Sequence, residues 1–365
     1  MVKVGCNTPG GEDLSHKEEV IIDFGSGTTK FKRISWNHDE ERWQVLREES
    51  IAIPHQRCLE ESGESLQLSR ECIDEGLSQI ERGLDILDAN CDIMSCIGIA
   101  TAWARSAKNK DVYFNEIKSH YKVSIVTLTH QQEGAIGFMS AVPFLKGRSP
   151  NLDFSKVIVW DIGGGSFQQV AVRSIDQNVT DFSNILNYKN ALDANLAPWG
   201  SVNFAHNLYR HLEIDNTSRL LVGEEVDRAS QYAKELFRSL NSTSIAERIK
   251  EPDSKVYAIG EFMNKGFLPF NSFSEQLTLD WAYAIRATFQ SQREESLCRF
   301  LQTINPSYDC GNLKTIETNL ILIIAIMEGL GLNSFLFLPE VSVVGAVDYI
   351  NGLIARLYED PDTVG

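Results

Sequence analysis

Val20-Ile21-Ile22-Asp23-Phe24-Gly25-Ser26-Gly27-Thr28-Thr29-Lys30 and Val157-Ile158-Val159-Trp160-Asp161-Ile162-Gly163-Gly164-Gly165-Ser166-Phe167-Gln168 share one form. In each, an apolar run with the look of a buried strand ends in Asp, passes one residue, and enters a Gly-rich turn that returns into a second strand. Each copy opens a domain-sized half of the 365-residue chain. A duplicated architecture of this kind sets the two turns face to face across a cleft.

The surrounding pattern alternates. Phe31 to Trp36 reads as a strand, Ser69 to Leu87 as a helix, Cys96 to Thr101 as a strand and Phe114 to Tyr121 as a helix. Val123 to Leu128 is a further strand, and a helix starts at Thr129 or His130 and reaches about Val142. Strands alternating with helices predict an α/β fold. Lys146-Gly147-Arg148-Ser149-Pro150 has the composition of a linker, so domains over 1–145 and 146–365 are expected. The second half is richer in helix, over 201–212, 223–240, 277–301, 316–330 and 347–358, and the last of these is expected to pack back on the first domain. The apolar stretch at 316–330 suits a core or a homodimer interface equally well.

Composition limits the function classes. Asp plus Glu number 50 against 34 Lys plus Arg, a net charge of −16. Such a surface repels nucleic acid and anionic membrane, so neither is expected as a partner. The first twenty residues hold no apolar signal core, and the longest apolar run, Leu320 to Met327, ends at Glu328, too short to span a bilayer. A cytoplasmic location is therefore expected. The seven cysteines, Cys6, Cys58, Cys72, Cys91, Cys96, Cys298 and Cys310, form no Cys-x-x-Cys pair. Their odd count and scatter predict neither a disulfide framework nor a structural zinc site.

The two turns suit anions. Glycine permits close approach and positive φ, so several backbone N–H groups can converge on one phosphate at Gly25, Ser26, Gly27 and Thr28, and again at Gly163, Gly164, Gly165 and Ser166. Asp23 and Asp161, at the strand ends, are natural partners for a hydrated Mg²⁺ or another divalent cation. Lys30 and Arg105 are the cations nearest the phosphate-facing strand ends, whereas Lys32 and Lys110 read as solvated surface charge. Phosphoryl transfer to water also needs a group that orients or deprotonates the water, and Glu133 is the best candidate. Its position is equally consistent with a first-turn acid beside a Thr129/Gln132 capping box.

Together these residues resemble the exopolyphosphatase / guanosine pentaphosphate phosphatase family, a branch of the actin and sugar-kinase ATPase superfamily. Asp23 to Lys30 is similar to its first phosphate loop, Ala100-Thr101-Ala102-Trp103-Ala104-Arg105-Ser106-Ala107-Lys108-Asn109 to its Ala-Thr-x-x-x-Arg-x-Ala-x-Asn segment, and Asp161 to Ser166 to its second loop. Pro198-Trp199-Gly200-Ser201-Val202 is similar to a Pro-Leu-Gly-Ala-Val stretch that follows, and Gln132-Glu133-Gly134 falls where the family carries its catalytic Glu. The resemblance implies two ribonuclease-H-like domains with the active site between them. It further implies Glu133 as base, Mg²⁺ near Asp23 and Asp161, and polyphosphate or guanosine pentaphosphate as substrate.

Four positions depart from that family. Lys30 stands for an Arg, Gln168 for a Glu near the metal, Gly260-Glu261-Phe262 for a Gly-Gly-Thr turn, and Glu317 for a basic residue. Gln168, as a possible water- or metal-positioning residue, also resembles the equivalent position of apyrases, which leaves a nucleoside triphosphate diphosphohydrolase as one alternative. A non-catalytic sensor that binds a phosphorylated nucleotide is another.

Overall fold

The computed structural model describes residues 18–38, 42–173, 192–214, 219–240, 243–260, 276–304, 310–338 and, of 341–351, all but 342, 348 and 349. Glu261-Phe262, and residues 352–358 of the helix expected over 347–358, lie outside the described residues.

The first sheet is built from β1 (Glu18–Phe24), β2 (Thr28–Asn37), β3 (Arg42–Ala52), β4 (Ser95–Ala100) and β5 (Ser124–Thr127), in the order β3-β2-β1-β4-β5. β1, β2 and β3 are antiparallel, while β4 and β5 run parallel to β1. The second sheet repeats this scheme with β6 (Val157–Ile162), β7 (Phe167–Val172), β8 (Leu192–Ala197), β9 (Lys255–Ile259) and β11 (Ser334–Phe337), and adds β10 (Gln276–Thr278) at its edge, giving β10-β11-β9-β6-β7-β8. Two copies of one α/β topology make the two ribonuclease-H-like domains of an actin-like fold.

The helices are α1 (His55–Glu61), α2 (Arg70–Ile86), α3 (Ala102–Ser106), α4 (Lys110–Tyr121), α5 (His130–Arg148), α6 (Ser201–His211), α7 (Glu224–Leu240), α8 (Thr243–Lys250), α9 (Leu279–Ser291), α10 (Glu294–Ile304) and α11 (Leu313–Leu330). α2 lays Ile73, Leu77, Ile80 and Leu84 against β1 and β2 residues such as Val20, Ile22 and Phe31, with Gly83 giving room for the Phe31 ring. α11 is buried nearly all round within the helical layer of the second domain, so its apolar surface lies within the core of the single chain. At about 1.5–3 kcal/mol per fully buried aliphatic side chain, residues such as Leu320, Ile323 and Ile326 are a major source of that domain's stability.

Several expectations need correction. The helix expected over 277–301 is two helices, broken at Gln292-Arg293. The stretch read as a linker forms the last turn of α5, which runs through Pro143 and Gly147 to Arg148. Packing holds it: Phe138, Ala141, Val142 and Leu145 are buried against Val157, Val159, Val170 and Val172 of the second sheet. From the far end of the chain, Val344, Ala346, Val347 and Ile350 pack on Ile21, Ile97 and Val126 of the first sheet.

The cysteines depart most from expectation, because the structure joins Cys58–Cys72, Cys91–Cys96 and Cys298–Cys310 as disulfides. Linear spacing could not show this, since each pair meets only after its helix or strand has formed. Thiol titration of the denatured, unreduced protein should find at most one thiol per chain; seven would refute the pairing. No helix among the described residues is long and apolar enough to cross a membrane.

Candidate active site

The two Gly-rich turns superpose in register as well as in sequence. In the β1–β2 hairpin Asp23 pairs with Lys30 and the Gly25 N–H donates to the Thr28 carbonyl at 3.1 Å. In the β6–β7 hairpin Asp161 pairs with Gln168 and the Gly163 N–H donates to the Ser166 carbonyl at 3.0 Å. Each turn is anchored from behind by a helix start. The Ser201 and Val202 N–H groups of α6 donate to the Gly163 and Gly164 carbonyls at 2.9 Å each, and Asn203 Nδ2 donates to the Gly165 carbonyl at 3.1 Å. These bonds fix the second turn against the head of α6. Gly200 makes this possible, since a Cβ there would lie 2.2 Å from the Gly163 carbonyl oxygen and 2.6 Å from the Ser166 nitrogen.

The turns meet across the domain boundary. A Cβ on Gly165 would fall 2.4 Å from Ser26 Oγ and 2.7 Å from Ala102 Cβ. The Thr101-Ala102 segment, at the head of α3, thus closes against the second turn. The two turns, from different domains, thus meet at Ser26 and Gly165.

Glu133 reaches this junction from α5. Thr129 and Gln132 form the capping box themselves, with bonds of 2.8 and 3.2 Å, so the Glu133 carboxylate is not needed for it. It makes tertiary bonds instead: Arg105 Nη1 donates to Oε2 at 2.8 Å and Ser166 Oγ donates to Oε1 at 2.7 Å. Arg105 Nη1 also donates to the Leu128 carbonyl at 2.9 Å, which fixes the guanidinium. α5 reaches the second domain so closely because of two glycines. A Cβ on Gly134 would lie 2.7 Å from Val170, and one on Gly137 would lie 3.3 Å from Asp161 Oδ2.

The carboxylates form one electrostatic unit. Burial pushes the Asp161 carboxyl up to about 7, the charges of Glu133 and Asp23 push the same way, and Lys30 pulls it down. Burial likewise raises Glu133 above the ordinary carboxylate range, opposed by Arg105 and the Ser166 hydroxyl. The charge of Lys30 therefore acts on the carboxylate of the opposite domain. Several buried polar atoms here meet no partner among the described residues: Ser26 Oγ, Thr29 Oγ1, Arg105 Nη2, and both side-chain polar atoms of Gln168. Gln168 is 1% exposed and its Cβ and Cγ lie beside Gly134. Buried polar atoms without partners are costly, and a cluster of them at a domain boundary is what a polar ligand or ordered water satisfies.

The donor set suits a divalent cation. Among the described residues no three His, Cys, Asp or Glu side chains form a cage from protein alone. Mg²⁺ does not need one, because it takes one or two carboxylates together with water and substrate phosphates. Asp23 and Asp161 fit that use.

The structure joins Arg105, Glu133 and Ser166 by hydrogen bonds and sets Gly165 against Ser26. Glu317 does not approach the turns: it is buried in α11, its Oε2 accepts from the Leu221 N–H at 2.8 Å, and its charge acts on Tyr209. Tyr209 lies eight residues along α6 from Ser201, about 12 Å from the turn that α6 anchors. Lys32, expected as a solvated surface charge, is instead ion-paired with Glu48 and only 13% exposed. Asn109 holds chain rather than ligand, exchanging two bonds with the Leu68 backbone. Gly137 and Asn203 are the contributors the sequence reading missed; a second glycine one turn after Glu133-Gly134 was the available signal.

Two domains of one topology, meeting at their glycine turns, define an actin-like two-domain fold. Within it the chain belongs to the Ppx/GppA phosphatase family, whose model matches residues 43–244. Among solved structures it is similar to the Aquifex aeolicus Ppx/GppA family member, with 16% identity, a TM-score of 0.65, and coverage of 94% of this chain and 99% of that one. It is also similar to an exopolyphosphatase from Cytophaga hutchinsonii, with 14% identity, a TM-score of 0.64, and coverage of 92% and 98%. An exopolyphosphatase-like protein gives 16% identity, a TM-score of 0.66, and coverage of 92% and 99%. A search of curated protein sequences finds no significant match.

Proposed function

We propose that this phosphatase-family protein releases terminal phosphate from inorganic polyphosphate and/or guanosine pentaphosphate. One observation carries the reading: the Glu133 carboxylate is held by Arg105 and Ser166 beside two facing glycine turns and a set of unsatisfied buried polar atoms. Ser26, Gly27 and Thr28 on one side and Gly164, Gly165 and Ser166 on the other bind the phosphate chain through backbone N–H groups, Gly25 and Gly163 shape the two turns with their own N–H groups engaged inside the hairpins, and Lys30 and Arg105 offset the charge. Glu133 is the general base. It takes a proton from water as the water oxygen bonds to the terminal phosphorus and the bridging P–O bond breaks, leaving the electron pair on the shortened chain. Asp23 and Asp161 would hold Mg²⁺ or another divalent cation, which neutralises charge on the phosphate oxygens.

Gln168 favours a second reading. An amide in place of a carboxylate, buried beside the base with both polar atoms open, suits orientation of the attacking water in an apyrase-like hydrolase. Phosphate release with Mg²⁺ from polyphosphate, guanosine pentaphosphate, ATP and ADP separates the two. Turnover of the first two with little from ADP supports the main reading; strong turnover of both ATP and ADP replaces it with the second. Binding without release of phosphate from any of them would replace both with a sensor.

Two further results are expected. Activity needs ionised Glu133, so its acid limb should lie above the ordinary carboxylate range. Arg105 lowers that pKa, so Arg105→Gln should move the limb to higher pH; an unmoved limb would remove Glu133 from the profile. For stability, the folded state raises the Asp161 pKa from 3.8 to about 7, so the stability it gives is present below about pH 4 and lost as pH rises through about 7. Mg²⁺ should then raise the melting temperature more at pH 8 than at pH 5.5, and do so weakly in Asp161→Asn. An equal rise in both proteins would place the cation elsewhere.

A further inference from the structure

We propose that His55 is a positioning residue for the first glycine turn, holding the Gly25 carbonyl so that the turn's amides are presented to phosphate. The inference rests on the reading of that turn as a phosphate site.

His55 lies at the start of α1, buried behind the turn at 3% exposure. Its Nδ1 is 3.2 Å from the Gly25 carbonyl oxygen, which only accepts, so Nδ1 carries the hydrogen. Nε2 is then the acceptor for the Tyr113 hydroxyl at 3.4 Å. Burial lowers the imidazole pKa to about 4, so the neutral form this pattern requires is the one present near neutral pH. The ring is stacked on Trp103 at 4.1 Å and 6° between planes, while Trp103 Nε1 donates to the Phe24 carbonyl at 2.8 Å. Tyr113 owes its place to Gly76, where a Cβ would fall 2.2 Å from the hydroxyl.

Comparison of the two halves shows why a side chain does this work. In the second half, consecutive backbone N–H groups of α6 hold the Gly163 and Gly164 carbonyls. In the first half the Gln56 N–H holds the Ser26 carbonyl at 2.9 Å, but the His55 N–H is already engaged with the Ile53 carbonyl at 2.9 Å. Pro54, at φ −83° and ψ 57°, closes that inverse γ-turn. The imidazole replaces the missing backbone donor.

The test compares His55→Phe, which keeps a ring over Trp103 but has no donor, with His55→Asn, whose amide restores the donor but not the stack. Tripolyphosphate affinity by calorimetry, phosphate release from the same compound, and melting temperature are read for both. His55→Phe should bind about 10-fold more weakly and raise KM in step, with kcat changed less than about 3-fold. His55→Asn should bind within about 3-fold of wild type despite a lower melting temperature. Wild-type affinity in His55→Phe, or losses in both variants that follow melting temperature alone, would overturn the assignment. A wild type that binds tripolyphosphate without cleaving it would sink the hydrolase reading and leave this inference standing on affinity; a wild type that does neither overturns both.

Discussion

Glu133→Gln should lower phosphate release by about 10²–10⁴-fold, the range that loss of a general base produces. The amide oxygen can still accept from Arg105 while the Ser166 hydroxyl turns to accept from the amide NH2, so geometry is largely kept and basicity is removed. Burial and the charge of Asp23 already disfavour the ionised carboxylate, so the variant should melt no lower than wild type. Tripolyphosphate affinity should stay within a few-fold. A variant that binds and cleaves like wild type would remove Glu133 from the reaction; one that fails to bind would make it a structural support for Arg105.

Gly200→Ala should be strongly disruptive. The added carbon would meet the Gly163 carbonyl oxygen and the Ser166 nitrogen, and backbone cannot swing aside as a side-chain tip can. Overpacking of this kind costs about 1–3 kcal/mol, and here the displaced segment is the second turn itself. Denaturant unfolding should show that loss, and phosphate-chain binding should fall with it. Gly27→Ala is the control, since nothing lies within 4 Å of the position a Cβ would take, and it should cost less than about 1 kcal/mol. Equal losses in the two variants would mean that the α6 anchor does not matter.

Much of the site was legible because its residues are local in sequence. A strand, an Asp and a glycine turn sit within ten residues, and their repetition in the second half carried the two-domain fold. Glu133 was ambiguous because first-turn acids serve caps as well as chemistry, and only tertiary geometry showed Gln132 doing the capping. His55 was invisible for the opposite reason: its partners Gly25, Trp103 and Tyr113 lie tens of residues away, and no period or motif links them. The disulfides were missed although their partners are only 14, 5 and 12 residues apart, because no motif marks those spacings. The supposed linker misled because polar composition marks an exposed helix end as readily as a loop, and α5 is held by its apolar face.

The most direct test of the account is hydrolysis of polyphosphate in ¹⁸O-enriched water with Mg²⁺, followed by mass analysis of both products. Attack of water on the terminal phosphorus predicts one solvent oxygen in each released phosphate and none in the shortened chain. Label in the remaining chain, or no phosphate released by the folded protein, would contradict it.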